Sequence, residues 1–191
     1  QLQKELGSVL NNSDLPFGYD DGVHLLNRVK QAGLSYGLLS GNIKVTAKIK
    51  LDKFNLWNEF PFGVFGDDAA MRSDLPWLAR EKAWDALEKS FRFEDIIIVG
   101  DTVQDAIAAN KNQTKSIIVC RNPESKNELE NSNPTIIVDD LNEVNLNSII
   151  ESKSIRILIS IMENITYYTT IRVLHFIGIA DWFGTALAVN I

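Results

Sequence analysis

Two aspartates four residues apart, where an apolar run breaks, are the clearest chemical signal in these 191 residues. The stretch is Gly100-Asp101-Thr102-Val103-Gln104-Asp105, directly after Ile96–Val99. If the run is a strand and a helix follows it, both carboxylates can face the strand end. Two hard oxygen ligands in that position suit Mg²⁺, which takes one or two carboxylates and completes its shell with waters and phosphate oxygens. The alternative is purely structural: Asp101 caps the helix, and Asp105 is a first-turn acid favoured by the helix dipole.

A second strand end, Leu38-Leu39-Ser40-Gly41-Asn42, offers a hydroxyl, a permissive glycine and the backbone N–H groups of a helix start. Together they form an anion-binding corner, which makes Ser40, Gly41 and Asn42 the candidate substrate-binding residues. A plain helix cap by Ser40 or Asn42 is the alternative. Arg72 lies in the polar turn from Asp67 to Asp74. Its guanidinium could hold a phosphate, unless it is a solvated surface arginine. Arg80 and Lys82 compete for that role but fall inside the following helical stretch.

The elements that must position these residues follow from periodicity. Strands are expected at about 36–39, 62–65, 96–99, 116–120 and 135–138. Ile96–Val99 is a continuous β-branched run, the mark of a strand buried on both faces. Helices are expected from Asp20 or Asp21 to about Ala32, from Ile43 to about Phe54, from Pro76 to about Ser90, from Val103 to about Asn110 and from Leu141 to about Ile150. Gly33 should stop the first of these. Gln1–Leu10 could be the end of another helix. Strand alternating with helix at this spacing gives right-handed crossovers and a parallel sheet, with ligands at the carboxyl ends of its strands.

Composition narrows the function classes. Hydrophobic residues make up 45% and charged residues 23%, as in an ordinary globular protein. Nineteen basic against 25 acidic residues give a net charge of −6 with no basic cluster, which argues against a nucleic-acid partner. A single cysteine, Cys120, excludes a disulfide framework, and two histidines disfavour a His-rich zinc site. Both fit a reducing, cytoplasmic setting. From 155 to 191 the only charged residues are Arg156, Glu163, Arg172 and Asp181, so that part reads as an attachment to a normal domain.

In combination, the hydroxyl after one strand, the later cation and Gly-Asp-x-x-x-Asp after another strand resemble the haloacid dehalogenase-like superfamily of phosphohydrolases. The resemblance covers about residues 16 to 150 and looks closest to the phosphoglycolate-phosphatase-like branch. Further support comes from Gly22-Val23-His24-Leu25-Leu26 and Phe62-Gly63-Val64-Phe65-Gly66-Asp67-Asp68. It implies a three-layer, Rossmann-like parallel sheet with helices on both faces. It also implies Mg²⁺-dependent hydrolysis of a small phosphorylated metabolite, with Ser40 binding phosphate, Arg72 as the catalytic cation, and Asp101 and Asp105 as metal ligands. Arg72 stands 29 residues before Asp101 and Lys82 only 19, which favours Arg72.

The family's first motif, Asp-x-Asp-Gly-Thr at the end of the first strand, supplies nucleophile and general acid. It does not occur in this sequence. Tyr19-Asp20-Asp21-Gly22 is no substitute, because its acids are adjacent and a helix follows. The chain begins with Gln1 and shows no signal peptide. The expectation is therefore a family member whose first strand and most of its cap lie upstream: 1–15 a remnant of a cap helix, 16–153 the core, 154–191 an apolar tail of uncertain role. Loss of a central strand leaves a gap that something must fill. The tail offers Ile155–Ile161 and Ile171–Ala180, the latter leading to Asp181-Trp182-Phe183-Gly184-Thr185. Asp181 could replace the nucleophile, but Phe183 cannot transfer a proton. A membrane span over Val173–Ile191 is disfavoured, since Asp181 at its middle costs about 2.5–3.5 kcal/mol. The chain as given is expected to be inactive, and a non-catalytic Rossmann-like binding module is the alternative function.

Overall fold

Short β-branched runs alternating with amphipathic stretches dictate a sheet covered by helices, and the protein folds that way. The structure is a computed structural model that describes residues 20–149, 174–176 and 185–190. Gln1–Leu10, Ile155–Ile161, Asp181 and Phe183 lie outside the described residues.

Helix α1 (Asp20–Gln31) leads to β1 (Ser35–Ser40), α2 (Lys44–Asp52), β2 (Gly63–Val64), α3 (Leu75–Leu87), β3 (Ile96–Gly100), α4 (Val103–Lys111), β4 (Lys115–Val119), α5 (Lys126–Asn131) and β5 (Ile136–Val138). Two further strands, β6 (Leu174–Phe176) and β7 (Thr185–Asn190), belong to the same sheet.

All seven strands form one sheet, with β2 and β1 on one side, β3, β4 and β5 on the other, and β6 and β7 between them. Neighbours β1–β2, β3–β4 and β4–β5 are parallel. Strand β6 runs parallel to β3, from Ile96↔Leu174 to Ile98↔Phe176, and meets β1 in parallel at Ser35↔Leu174. Strand β7 is antiparallel to β1 over its whole length, from Ser35↔Asn190 to Ser40↔Thr185. The sheet is thus mixed at its centre rather than parallel throughout. Backbone of the tail pairs the edges that β1 and β3 would otherwise leave open.

Alternation along the strands fills both faces. On one, Leu38, Ile97, Val99, Ile117 and Val119 pack with Leu25, Leu26 and Val29 of α1 and with Ala47 and Leu51 of α2. On the other, Leu39, Val64, Ile96 and Ile98 pack with Leu75, Ala79 and Ala83 of α3. Ala106 of α4, Ile118 and Leu129 of α5 continue that layer. A buried Leu or Ile in such a core contributes about 1.5–3 kcal/mol.

The helix ends follow from local chemistry. Gly33, at φ +67°, closes α1: its N–H bonds Lys30 O at 3.0 Å, and Leu34 N–H bonds Val29 O at 3.2 Å. Asp21, in the first turn of α1, pairs with Arg121. Nη1 donates to Oδ2 at 2.8 Å and Nη2 to Oδ1 at 2.9 Å, while Leu141 N–H adds a third bond at 2.9 Å. Burial pushes the Asp21 carboxyl up, but the Arg121 and Leu141 hydrogen bonds outweigh it and hold it below the ordinary value. His24 and Arg28, on the same side of α1, bond Asn142 and the Val144 carbonyl. This stripe clamps α1 to the segment after β5.

Two helical stretches differ from expectation. The helix expected over Leu141–Ile150 is a 3₁₀ turn, Leu141–Glu143, followed by helical residues 146–149, because Val144 is extended at φ −65°, ψ 114°. Helix α5 is not among the helices expected from the sequence. It buries only Leu129 and so shows no amphipathic period.

Candidate active site

Parallel strands bring their carboxyl ends to one edge. Ser40 ends β1 and Gly100 ends β3, and both strands run parallel to β6. Ser40 is fully buried, and its Oγ accepts Asn42 N–H at 3.1 Å, which folds the chain into a tight turn. The Asn42 carbonyl accepts Gly66 N–H at 2.8 Å, joining this turn to the one after β2. A Cβ at Gly66 would stand 2.3 Å from the Gly41 carbonyl oxygen, so only glycine permits that approach. Asp67 Oδ1 accepts Lys44 N–H at 2.9 Å and caps α2.

Arg72 sits in the 3₁₀ turn Arg72–Asp74, just before α3. Its Nη2 donates to Asp105 Oδ1 at 2.8 Å. The guanidinium also lies against Gly41, where a Cβ would fall 2.6 Å from Nη1 and 3.2 Å from Nε. Its Nε–H is shielded from solvent and has no hydrogen-bond partner among the described residues. The competing cations are placed elsewhere. Lys82 Nζ bonds Asp68 at 2.7 Å and the Gly63 carbonyl at 3.1 Å, and Arg80 covers the Phe93 ring at 4.6 Å.

Asp105 is 3% exposed and its carboxylate is heavily engaged. Besides Arg72 on Oδ1, Oδ2 accepts Thr102 Oγ1 at 2.7 Å, Thr102 N–H at 3.2 Å and Asp101 N–H at 3.3 Å. Thr102 is the helix cap in place of Asp101, and it forms a capping box with Asp105. A Cβ on Gly100 would meet Asp105 Oδ2 at 2.3 Å, which explains the glycine. Asp101 follows the last residue of β3 and is partly exposed.

The structure therefore places Arg72 between the turn holding Ser40, Gly41 and Asn42 and the Asp105 carboxylate. Sequence reasoning gave no role to Thr102 or Gly66. The Thr-x-x-Asp spacing was a readable signal for the first; the second needed the close approach of two loops. Among the described residues, no three His, Cys, Asp or Glu side chains group to hold a metal ion.

No curated protein matches the chain. Residues 76–144 match the family model described as HAD-hydrolase-like. The match runs from α3 to the turn beyond β5 and includes Asp101 and Asp105, whereas Ser40 and Arg72 precede it. That match, and the Rossmann-like sheet that frames it, support a likeness of this part of the chain to the haloacid dehalogenase-like hydrolases at the level of the superfamily.

Proposed function

We propose that this carboxyl edge is the phosphate site of a Mg²⁺-dependent phosphate-monoester hydrolase of the phosphoglycolate-phosphatase-like kind, acting on a small phosphorylated metabolite in the cytoplasm. The observation that carries the reading is the Arg72 guanidinium, held by Asp105 and laid along Gly41 with its Nε–H unsatisfied. A buried donor without a partner costs free energy unless a ligand completes it, and a phosphoryl oxygen is the matching acceptor.

The donor set fits Mg²⁺ in part. Both Asp105 oxygens already take hydrogen bonds, one of them from a cation, so Asp105 serves to fix Arg72 and the turn. Asp101 is the carboxylate to which direct ligation falls, and one carboxylate with waters and phosphate oxygens is enough for this ion. Bound there, Mg²⁺ would withdraw charge from the phosphoryl group. The chain's own residues do the rest: Ser40, Gly41 and Asn42 orient the phosphate at the α2 start, and Arg72 neutralises it. Residues 16–153 are assigned to this core and 1–15 to a cap remnant.

The sequence has no Asp-x-Asp-Gly-Thr, so the covalent route lacks its in-line nucleophile, and we expect no useful turnover. The assay is Mg²⁺-dependent release of p-nitrophenol from p-nitrophenyl phosphate, with Asp101→Ala and Asp181→Ala as controls. Robust turnover lost in Asp181→Ala would overturn inactivity and make the tail the source of the nucleophile. Turnover lost only in Asp101→Ala would place a nucleophile elsewhere.

A further inference from the structure

We propose that Asn112, just past the end of α4, is a positioning residue for the Arg72 guanidinium, a role that rests on Arg72 being the phosphate cation proposed above. Arg72 opens the three-residue 3₁₀ turn Arg72–Asp74. The turn is closed by Asp74 N–H on the Met71 carbonyl at 3.0 Å, and neither Met71 nor Asp74 adds a side-chain cap. Further anchors come from α4. Asn112 Nδ2 donates to the Ser73 carbonyl at 2.7 Å and to the Ala108 carbonyl at 2.8 Å. Both partners are carbonyl oxygens, so only the amide nitrogen serves them, one hydrogen to each. The bond to Ala108 fixes the side chain on its own helix. The bond to Ser73 passes that fixed position to the residue beside Arg72.

Helix periodicity makes α4 a ruler for this turn. Asp105 and Asn112 stand seven residues apart. That is two turns, so they share one face of α4 at about 10 Å along its axis. At one end Asp105 Oδ1 takes the Arg72 guanidinium at 2.8 Å; at the other Asn112 takes the Ser73 carbonyl. The side chain and the backbone of the Arg72 turn are thus set by the same rigid element. Lys111 Nζ adds bonds of 2.8 Å to Ser73 Oγ and Asp74 Oδ1. Both ends of that ion pair are about half exposed, so it contributes little. Precision matters here because the guanidinium is fitted closely to Gly41, where a Cβ would fall 2.6 Å from Nη1. A binding group needs placement within about 0.5 Å. A turn free to slide along α4 would shift Nε–H from its place while Asp105 still held Nη2.

The first readout is the side chain itself. In the isotope-labelled full chain, the Arg72 Nε–H resonance, assigned by its loss in Arg72→Lys, should show a heteronuclear NOE close to that of the helix backbone. Asn112→Ala should lower it, while the Nε–H of Arg121, a guanidinium held elsewhere by Asp21, keeps its value and reports an intact fold. Asn112→Asp keeps the shape but lacks the donor, and should lower it as well. The second readout is calorimetric titration with inorganic phosphate and Mg²⁺. Affinity should fall about fivefold in Asn112→Ala, the scale of one neutral hydrogen bond. An Arg72 resonance unchanged in both variants, one lowered only in step with Arg121, or phosphate affinity that stays at the wild-type value would overturn the proposal. Should the wild type bind no phosphate, the phosphate reading fails, and the Arg72 resonance still decides whether Asn112 positions that side chain.

Discussion

Arg72 Nη2 and Asp105 Oδ1 stand 2.8 Å apart, and this single contact joins the turn before α3 to the start of α4. Asp105 is almost wholly buried while the Arg72 side chain is 30% exposed. The carboxylate is therefore the fixed partner, and the guanidinium is the more exposed of the two. On the proposed reading, the two acids of Gly-Asp-x-x-x-Asp then have different duties, Asp105 fixing Arg72 and Asp101 left for the metal.

The difference is measurable. Asp105→Ala removes one ion pair and the hydrogen bonds of the capping box, and should destabilise the fold by about 1–3 kcal/mol. Asp101→Asn should change stability by less than about 0.5 kcal/mol yet abolish Mg²⁺ binding. Urea denaturation and Mg²⁺ titration of the two variants check this. Equal destabilisation by both would show that Asp101 is also structural.

Gly66→Ala places a Cβ 2.3 Å from the Gly41 carbonyl oxygen, a backbone atom that cannot swing aside. The turns after β1 and β2 must separate, at a cost of about 1–3 kcal/mol. Gly33→Ala is the control: its Cβ meets nothing within 4 Å, and only the φ of +67° opposes it. Thermal denaturation should show the larger loss at Gly66, and phosphate affinity should fall there alone.

Asp21→Asn should cost about 3 kcal/mol at pH 7, because Arg121 is left without its carboxylate. The pH dependence follows from the lowered carboxyl. A group held below its ordinary value of 3.8 stabilises the fold fully above that value and loses this as pH falls through its lower, folded value. The gap between wild type and variant should thus be constant from pH 7 to about pH 5 and shrink below about pH 4. A gap that widened with acid would contradict the pairing.

Much of this was legible in the sequence because each signal was local. Ile96–Val99 is apolar at every position and is buried on both faces. Gly33 announced the end of α1. Ser40, Gly41, Arg72 and Asp105 were picked from types and spacing, and the structure sets Arg72 against both Gly41 and Asp105. What stayed hidden depends on distant partners. Nothing in Tyr19-Asp20-Asp21-Gly22 says that Asp21 meets Arg121, and the engagement of both Asp105 oxygens required the Arg72 turn in place. Helix α5 was invisible because one buried residue, Leu129, makes no period. The strand direction of β7 was equally unreadable, since an apolar run carries no sign of which neighbour it will pair.

The central claim is that Arg72 and Asp101 form one Mg²⁺-dependent phosphate site across two strand ends. Calorimetric titration of the full chain with inorganic phosphate, with and without Mg²⁺, tests it directly. The account predicts phosphate binding that needs Mg²⁺, is lost in Asp101→Asn and falls at least about tenfold in Arg72→Ala, the effect of losing a charge-assisted hydrogen bond. Phosphate binding that is indifferent to Mg²⁺ and to both substitutions, or no binding at all, would contradict it.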